Sequence, residues 1–133
     1  MKRAVLDTNV LISSLVSEHG VPSQLHQAWR RGDFVLITSD YILSELKRIA
    51  RAKLDVTAGQ LSPVLASLQQ LAEIVEPAPV VCAGADEQDL PILGTALSGA
   101  ADVLVTGDKK LLALDRFNGV AIITPRDFLD SLF

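Results

Sequence analysis

Apolar positions along the chain alternate between two spacings. Ala4-Val5-Leu6 is a short unbroken run, and after Asp7-Thr8-Asn9 the residues Val10, Leu11, Ile12, Leu15 and Val16 resume at helical intervals. A strand that stops at Asp-Thr-Asn and turns at once into a helix leaves Asp7 at the strand's carboxyl end, with Thr8 or Asn9 free to cap the helix. Gly20-Val21-Pro22 separates this helix from a second, expected from Ser23 to Arg31 and closed by Gly32. Phe34-Val35-Leu36-Ile37 is again continuous, as in a strand covered on both faces. Thr38-Ser39-Asp40 supplies caps for a helix from Tyr41 to Ala52, which buries Ile42, Leu43, Leu46, Ile49 and Ala50 and projects Glu45 from its early turns.

Further on, Thr57 and Gln60 have capping-box spacing, and Ser62-Pro63 offers a rival helix start. From either start, Leu61, Val64, Leu65, Leu68, Leu71 and Ala72 form one apolar stripe. Glu76-Pro77-Ala78-Pro79 breaks that helix, and Val80-Val81 is a candidate short strand. Asp86 to Gln88 can cap a helix from Leu90 to Ser98, whose Gly94 and Ala96 permit close packing on a sheet. Val103-Leu104-Val105 is a strand that exits into Thr106-Gly107-Asp108, followed by a short helix with Leu111, Leu112 and Leu114. Val120-Ala121-Ile122-Ile123 is the last strand, and Thr124-Pro125 opens a terminal helix carrying Phe128, Leu129 and Leu132. Alternating strands and helices imply an α/β fold: a parallel sheet, right-handed crossovers and helices on both faces.

A chain of 133 residues with 49% apolar composition is expected to be one domain, residues 1–133, with a proper core. The lone Cys82 has no disulfide partner and sits in an apolar stretch, so it is read as a small core residue. Lys2-Arg3 before apolar residues has a superficial likeness to a signal peptide, but Asp7 and Asn9 interrupt the run and no small-residue cleavage site follows. No run reaches transmembrane length, so no membrane partner is expected and the cytoplasm is the expected compartment. The net charge of −4 argues against gripping nucleic acid through overall basicity. Its distribution says more. Between Lys53 and Lys109 there is no Lys or Arg, whereas Asp55, Glu73, Glu76, Asp86, Glu87, Asp89, Asp102 and Asp108 all fall there. Arg30-Arg31 and Lys47, Arg48, Arg51 and Lys53 cluster elsewhere. This segregation suits an acidic metal pocket with a basic rim for phosphates, and equally a solvated helix face.

Two strand ends share a signature, Asp7 beside Thr8 and Asp108 close to Thr106, and both deliver a carboxylate to the sheet's carboxyl edge. Glu45 and Asp89 lie near helix starts associated with those edges, so Asp7, Glu45, Asp89 and Asp108 can converge on one cleft. At ~4 Å, like charges repel by roughly 4 kcal/mol at an effective dielectric near 20, so such a cleft calls for a cation. Oxygen donors without His or Cys point to Mg2+ or Mn2+, the ions that activate water in phosphodiester cleavage.

Val-Leu-Asp-Thr-Asn-Val-Leu-Ile at the N-terminus, Ser-Glu-Leu around Glu45, Asp89-Leu-Pro-Ile-Leu, and Ala-Asp-Val-Leu-Val-Thr-Gly-Asp-Lys-Lys-Leu-Leu ending at Leu112 resemble the PIN-domain family. The chain is similar in particular to small bacterial PIN proteins that act as toxins of toxin–antitoxin pairs, the VapC-type ribonucleases. The resemblance implies a three-layer α/β/α fold and Mg2+- or Mn2+-dependent cleavage of single-stranded RNA. It also implies an acidic quartet of Asp7, Glu45, Asp89 and Asp108, with Asn9 and Thr106 orienting carboxylates or waters. Asp86 is the alternative to Asp89, or else a rim or capping residue. Thr8 and Lys109 are secondary candidates, Lys109-Lys110 as contacts to a scissile phosphate. An antitoxin protein and a homodimer are the implied partners, the stripe from Leu61 to Ala72 being a surface for either unless the monomer buries it.

Other readings stay open on the residues alone. A catalytically silent PIN-like scaffold would bind RNA or protein without cleaving. An aspartate-based phosphatase would need an acid two residues after Asp7, where Asn9 stands. His19 and His26 read as exposed polar residues rather than ligands, and Trp29 and Tyr41 as helix core rather than base-stacking platforms.

Overall fold

The computed structural model describes residues 1–53 and 57–133; Asp55 lies outside the described residues. From the N-terminus, β1 (Arg3–Leu6) leads into α1 (Thr8–Val16) and α2 (Gly20–Arg31), then β2 (Val35–Thr38) into α3 (Asp40–Lys53) and α4 (Ala58–Leu71). β3 (Glu73–Ile74) is followed by a long connection to a 3-10 turn at Glu87–Asp89 and α5 (Leu90–Ser98). β4 (Val103–Val105), α6 (Lys109–Leu114), β5 (Arg116–Phe117), β6 (Val120–Ile123) and α7 (Pro125–Ser131) complete it.

The strands form one sheet in the order β3-β2-β1-β4-β6-β5, parallel throughout except for the antiparallel β5–β6 pair. Ala4, Val5, Leu36, Ile37, Val103, Leu104 and Val105 are all buried. Consecutive strand residues point to opposite faces, so the sheet is covered on both sides. α5 packs over β1, β2 and β4, while α1 and α7 both pack on α2. Phe34 and Phe128 meet edge to face, with ring centroids 4.9 Å apart. Chain order reverses between β1 and β4: β2 and β3 lie on one side of β1, and β4 and β6 on the other. That reversal is the place where open α/β sheets present ligand crevices beyond the strands' carboxyl ends.

Several elements differ from what the apolar pattern predicts. Val80-Val81 forms no strand, and Val81 is 95% exposed. The strand on that side is β3, whose Glu73 and Ile74 are both exposed and so carry no apolar signal; it is held by its register with β2 and by Val75 N–H donating to the Thr38 carbonyl at 3.0 Å. β5 is also unread by periodicity. Its hairpin turn is Asn118-Gly119, with φ of 48° and 87°, the two-residue connection that this dipeptide favours. α2 begins at Gly20 rather than Ser23, Gly20-Val21-Pro22 forming its first turn. Thr57 wins over Ser62-Pro63 as the start of α4, with the reciprocal capping box to Gln60 in place. Cys82 is half-buried beside the core rather than within it.

Gly94 fixes the path of the connection before α5. Ala78 N–H donates to the Gly94 carbonyl at 3.1 Å, and a Cβ at position 94 would meet the Ala78 carbonyl oxygen at 2.2 Å. The backbone therefore crosses α5 at a distance only glycine allows, on its way to Asp86 and Asp89.

Candidate functional site

Asp7 is itself the N-cap of α1: its Oδ1 accepts from Val10 N–H at 2.9 Å. The expected caps, Thr8 and Asn9, are already helical, because the backbone is extended only as far as Asp7, where φ is −64° and ψ is 167°. Asp7 N–H continues the ladder to β4 through the Val105 carbonyl at 3.0 Å. Thr106, just past the end of β4, donates from Oγ1 to Asp7 Oδ2 and accepts from Asp108 N–H at 3.0 Å. One threonine thus links the two aspartates that end β1 and β4. Asp108 caps α6, accepting from Lys110 N–H at 3.0 Å.

Thr8 is buried and donates from Oγ1 to Glu45 Oε1 at 3.0 Å, tying α3 to the end of β1. The Asp-Thr pair therefore does two jobs, the acid linking β4 and the threonine holding the acid of α3. Asp89 closes the 3-10 turn, half-buried, and Asp86 sits at the start of that turn. Asp7, Glu45, Asp89 and Asp108 all line one hollow of about 330 Å3. Thr8, Asn9, Asp86 and Gln88 share its wall. A second hollow of about 530 Å3 shares Asp7, Asn9 and Asp108 and is lined also by Val10, Ser13, Pro22 and Pro125. Asn9 is exposed and borders both.

The acids respond to their surroundings. Burial pushes the Asp7 carboxyl above its ordinary range; the bonds from Thr106 and Val10 pull it back, and Asp108 and Glu45 add to the rise. At 8% exposure Asp7 is governed first by loss of water, and the crowding of the other acids is a smaller contribution. Asp89 is raised too, by burial first and then by Asp108, Asp86, Asp7 and Glu45. As they stand, no three His, Cys, Asp or Glu side chains among the described residues are drawn together closely enough to enclose a metal ion. The hollow is an assembly of donors, not a closed cage.

Cations also reach the hollow, on the side where a basic rim was one of the two expectations. Arg48 and Lys53 line it from α3, where Glu45, Arg48, Ile49 and Lys53 share a helix face. That i, i+3, i+4, i+8 spacing was legible in the sequence. Arg48 Nη2 stands 3.6 Å from Glu45 Oε2. Lys110 Nζ donates to Asp86 Oδ1 at 3.0 Å, making Asp86 a paired rim residue and leaving Asp89 unpaired among the described residues. Lys109 is exposed and does not line the hollow. Tyr41 is half-buried rather than core, and its Oη donates to the carbonyl of Gln88, in the hollow's wall, at 2.8 Å; away from the hollow, Trp29 is buried and His26 leans on it. His19 is exposed ahead of α2. No helix of the described residues is long and apolar enough to cross a membrane.

Comparison with known proteins agrees with this architecture. An uncharacterized protein of Methanocaldococcus jannaschii is 26% identical over 141 aligned positions, covering 97% of this chain and 90% of that one. The crystal structure of VapBC2 from Rickettsia felis bound to a DNA fragment from their promoter superposes with a TM-score of 0.61 at 16% identity. It covers 92% of this chain and 98% of the matched one, a likeness of fold. The family model of the PIN domain matches residues 3–110, spanning β1 to the start of α6 and all four convergent acids, and the chain belongs to the PIN domain family.

Proposed function

We propose that this protein is a divalent-metal-dependent endoribonuclease, cleaving phosphodiester bonds of single-stranded RNA in the hollow at the β1–β4 switch point. One observation carries the reading: Asp7, Glu45, Asp89 and Asp108, from four separate segments of a PIN domain, line the same hollow. The donor chemistry fits Mg2+ or Mn2+, since all four are carboxylates and neither histidine nor Cys82 lines the hollow. Asp7 spends one lone pair on Val10 and one on Thr106, which leaves a carboxylate further acceptor capacity. Bound there, the ion supplies Lewis acidity that lowers the pKa of water and offsets charge on the phosphate.

The chain's own residues hold this arrangement. Thr106 fixes Asp7 against Asp108 through a single hydroxyl, and Thr8 restrains Glu45. Asn9, at the shared edge of both hollows, is placed to hydrogen-bond a substrate oxygen. Asp86, tied to Lys110, serves the rim rather than the centre. The resemblance to VapC-type ribonucleases makes an antitoxin protein the proposed partner and the cytoplasm the proposed compartment.

The test is digestion of a panel of labelled single-stranded RNAs with and without Mn2+. Cleavage in Mn2+ that Asp7→Asn abolishes, with the variant still folded, is expected. Binding without cleavage in Mn2+ would instead make the protein a silent scaffold.

A further inference from the structure

The hollow has two unlike walls. One carries Asp86, Asp89 and Asp108, from the turn before α5 and the end of β4; the other is the α3 face of Glu45, Arg48, Ile49 and Lys53. A nucleic-acid strand delivering a phosphate to the acidic wall brings more negative charge to a region already rich in it, so a cation must meet it there. Lys110 is engaged with Asp86. Arg48 is in a different position. Its side chain is 65% exposed, and its only ion pair among the described residues is at 3.6 Å, longer than the 2.7–2.9 Å of a charge-assisted hydrogen bond. A guanidinium has five N–H donors in a planar fork that matches phosphate oxygens, so a loose contact to Glu45 leaves most of them for a ligand. Lys53, five residues further along α3, extends the cationic wall.

We propose that Arg48, seconded by Lys53, is the phosphate-binding arm of this hollow, gripping non-bridging oxygens of a nucleotide beside the scissile bond and laying the strand along α3. The identity of the ligand rests on the ribonuclease reading; the placement of the cations does not. Lys47 provides the internal comparison. It is exposed, it carries the same charge on the same helix, and it does not line the hollow.

The experiment titrates the full-length protein, in an Asp7→Asn background with Mg2+, against a fluorescein-labelled oligouridylate over a range of KCl concentrations. Arg48→Ala is expected to weaken binding about tenfold, the scale of one charge-assisted contact. It should also reduce the slope of log K against log salt by about 0.7, one phosphate contact on a single strand. Arg48→Lys should restore part of the loss, Lys53→Ala should show a smaller one, and Lys47→Ala should bind as the parent does. Arg48→Gln serves as the second variant, and unchanged melting curves separate lost contact from lost fold. Equal losses for Arg48→Ala and Lys47→Ala, or an unchanged slope for Arg48→Ala, would overturn the assignment. Arg48-dependent binding by a protein that never cleaves RNA in Mn2+ would sink the ribonuclease reading and leave the phosphate arm standing. Cleavage with Arg48-independent binding would do the reverse.

Discussion

At the scale of single residues, Asp7 shows how one side chain serves fold and site together. It caps α1, accepts from Thr106 and faces the hollow, yet burial holds its pKa above the ordinary carboxylate range. A carboxyl whose pKa is higher in the fold than in the unfolded chain binds its proton more tightly when folded. Its stability contribution is therefore greatest below the unfolded value near about 3.9 and is lost as pH rises through the native one. The metal-free protein should accordingly melt lower as pH climbs out of the acid range. Asn caps a helix about as well as Asp and carries no charge, so Asp7→Asn should raise the melting temperature at neutral pH and flatten that dependence. A variant melting at or below the wild type in EDTA would count against a strained, buried carboxylate. Asp7 was visible as a candidate from its place after an apolar run. Its capping of its own helix was not, because cap identity depends on where the backbone leaves the extended region, and Asp, Thr and Asn are all competent caps.

At the scale of elements, the approach of the 77–86 connection to α5 decides whether Asp86 and Asp89 reach the hollow. Gly94 is the contact point. Gly94→Ala should improve the intrinsic propensity of α5 but drive a methyl into the Ala78 carbonyl, for a net loss of about 1–3 kcal/mol in chemical denaturation. A stabilised variant would show that the connection yields without cost. The strongly periodic α3 and the continuously apolar β4 were legible in outline. β3 and β5 were not, because two-residue strands bury little and exist only through the neighbour that pairs with them. The Asn118-Gly119 turn is the local signal for β5, and the apolar pattern on either side of it is too short to mark the strand. On α4 the apolar stripe divides: Leu61 and Leu68 are buried, whereas Leu71 is 56% exposed, so the monomer covers only part of it.

At the scale of the whole molecule, the strand order brings together acids that are far apart in the chain. If those acids hold a divalent ion, the native state alone binds it, since the unfolded chain scatters them. Mg2+ at a hundredfold excess over its dissociation constant should stabilise the fold by about 2.7 kcal/mol, raising the melting temperature on the order of 10 °C. NaCl of equal ionic strength should not, and Asp108→Asn should diminish the effect. A melting curve indifferent to tens of millimolar Mg2+ would sink the metal assignment. The sequence by itself determined the α/β class, most of the helices, and the four acids as candidates, because apolar period and strand-end polarity are local properties. Only the tertiary structure decided which cations share the hollow, that Asp86 is taken up by Lys110, and that Thr106 joins Asp7 to Asp108. Those facts depend on which strands lie side by side and on which face of α3 turns inward, and no stretch of chain carries that information alone.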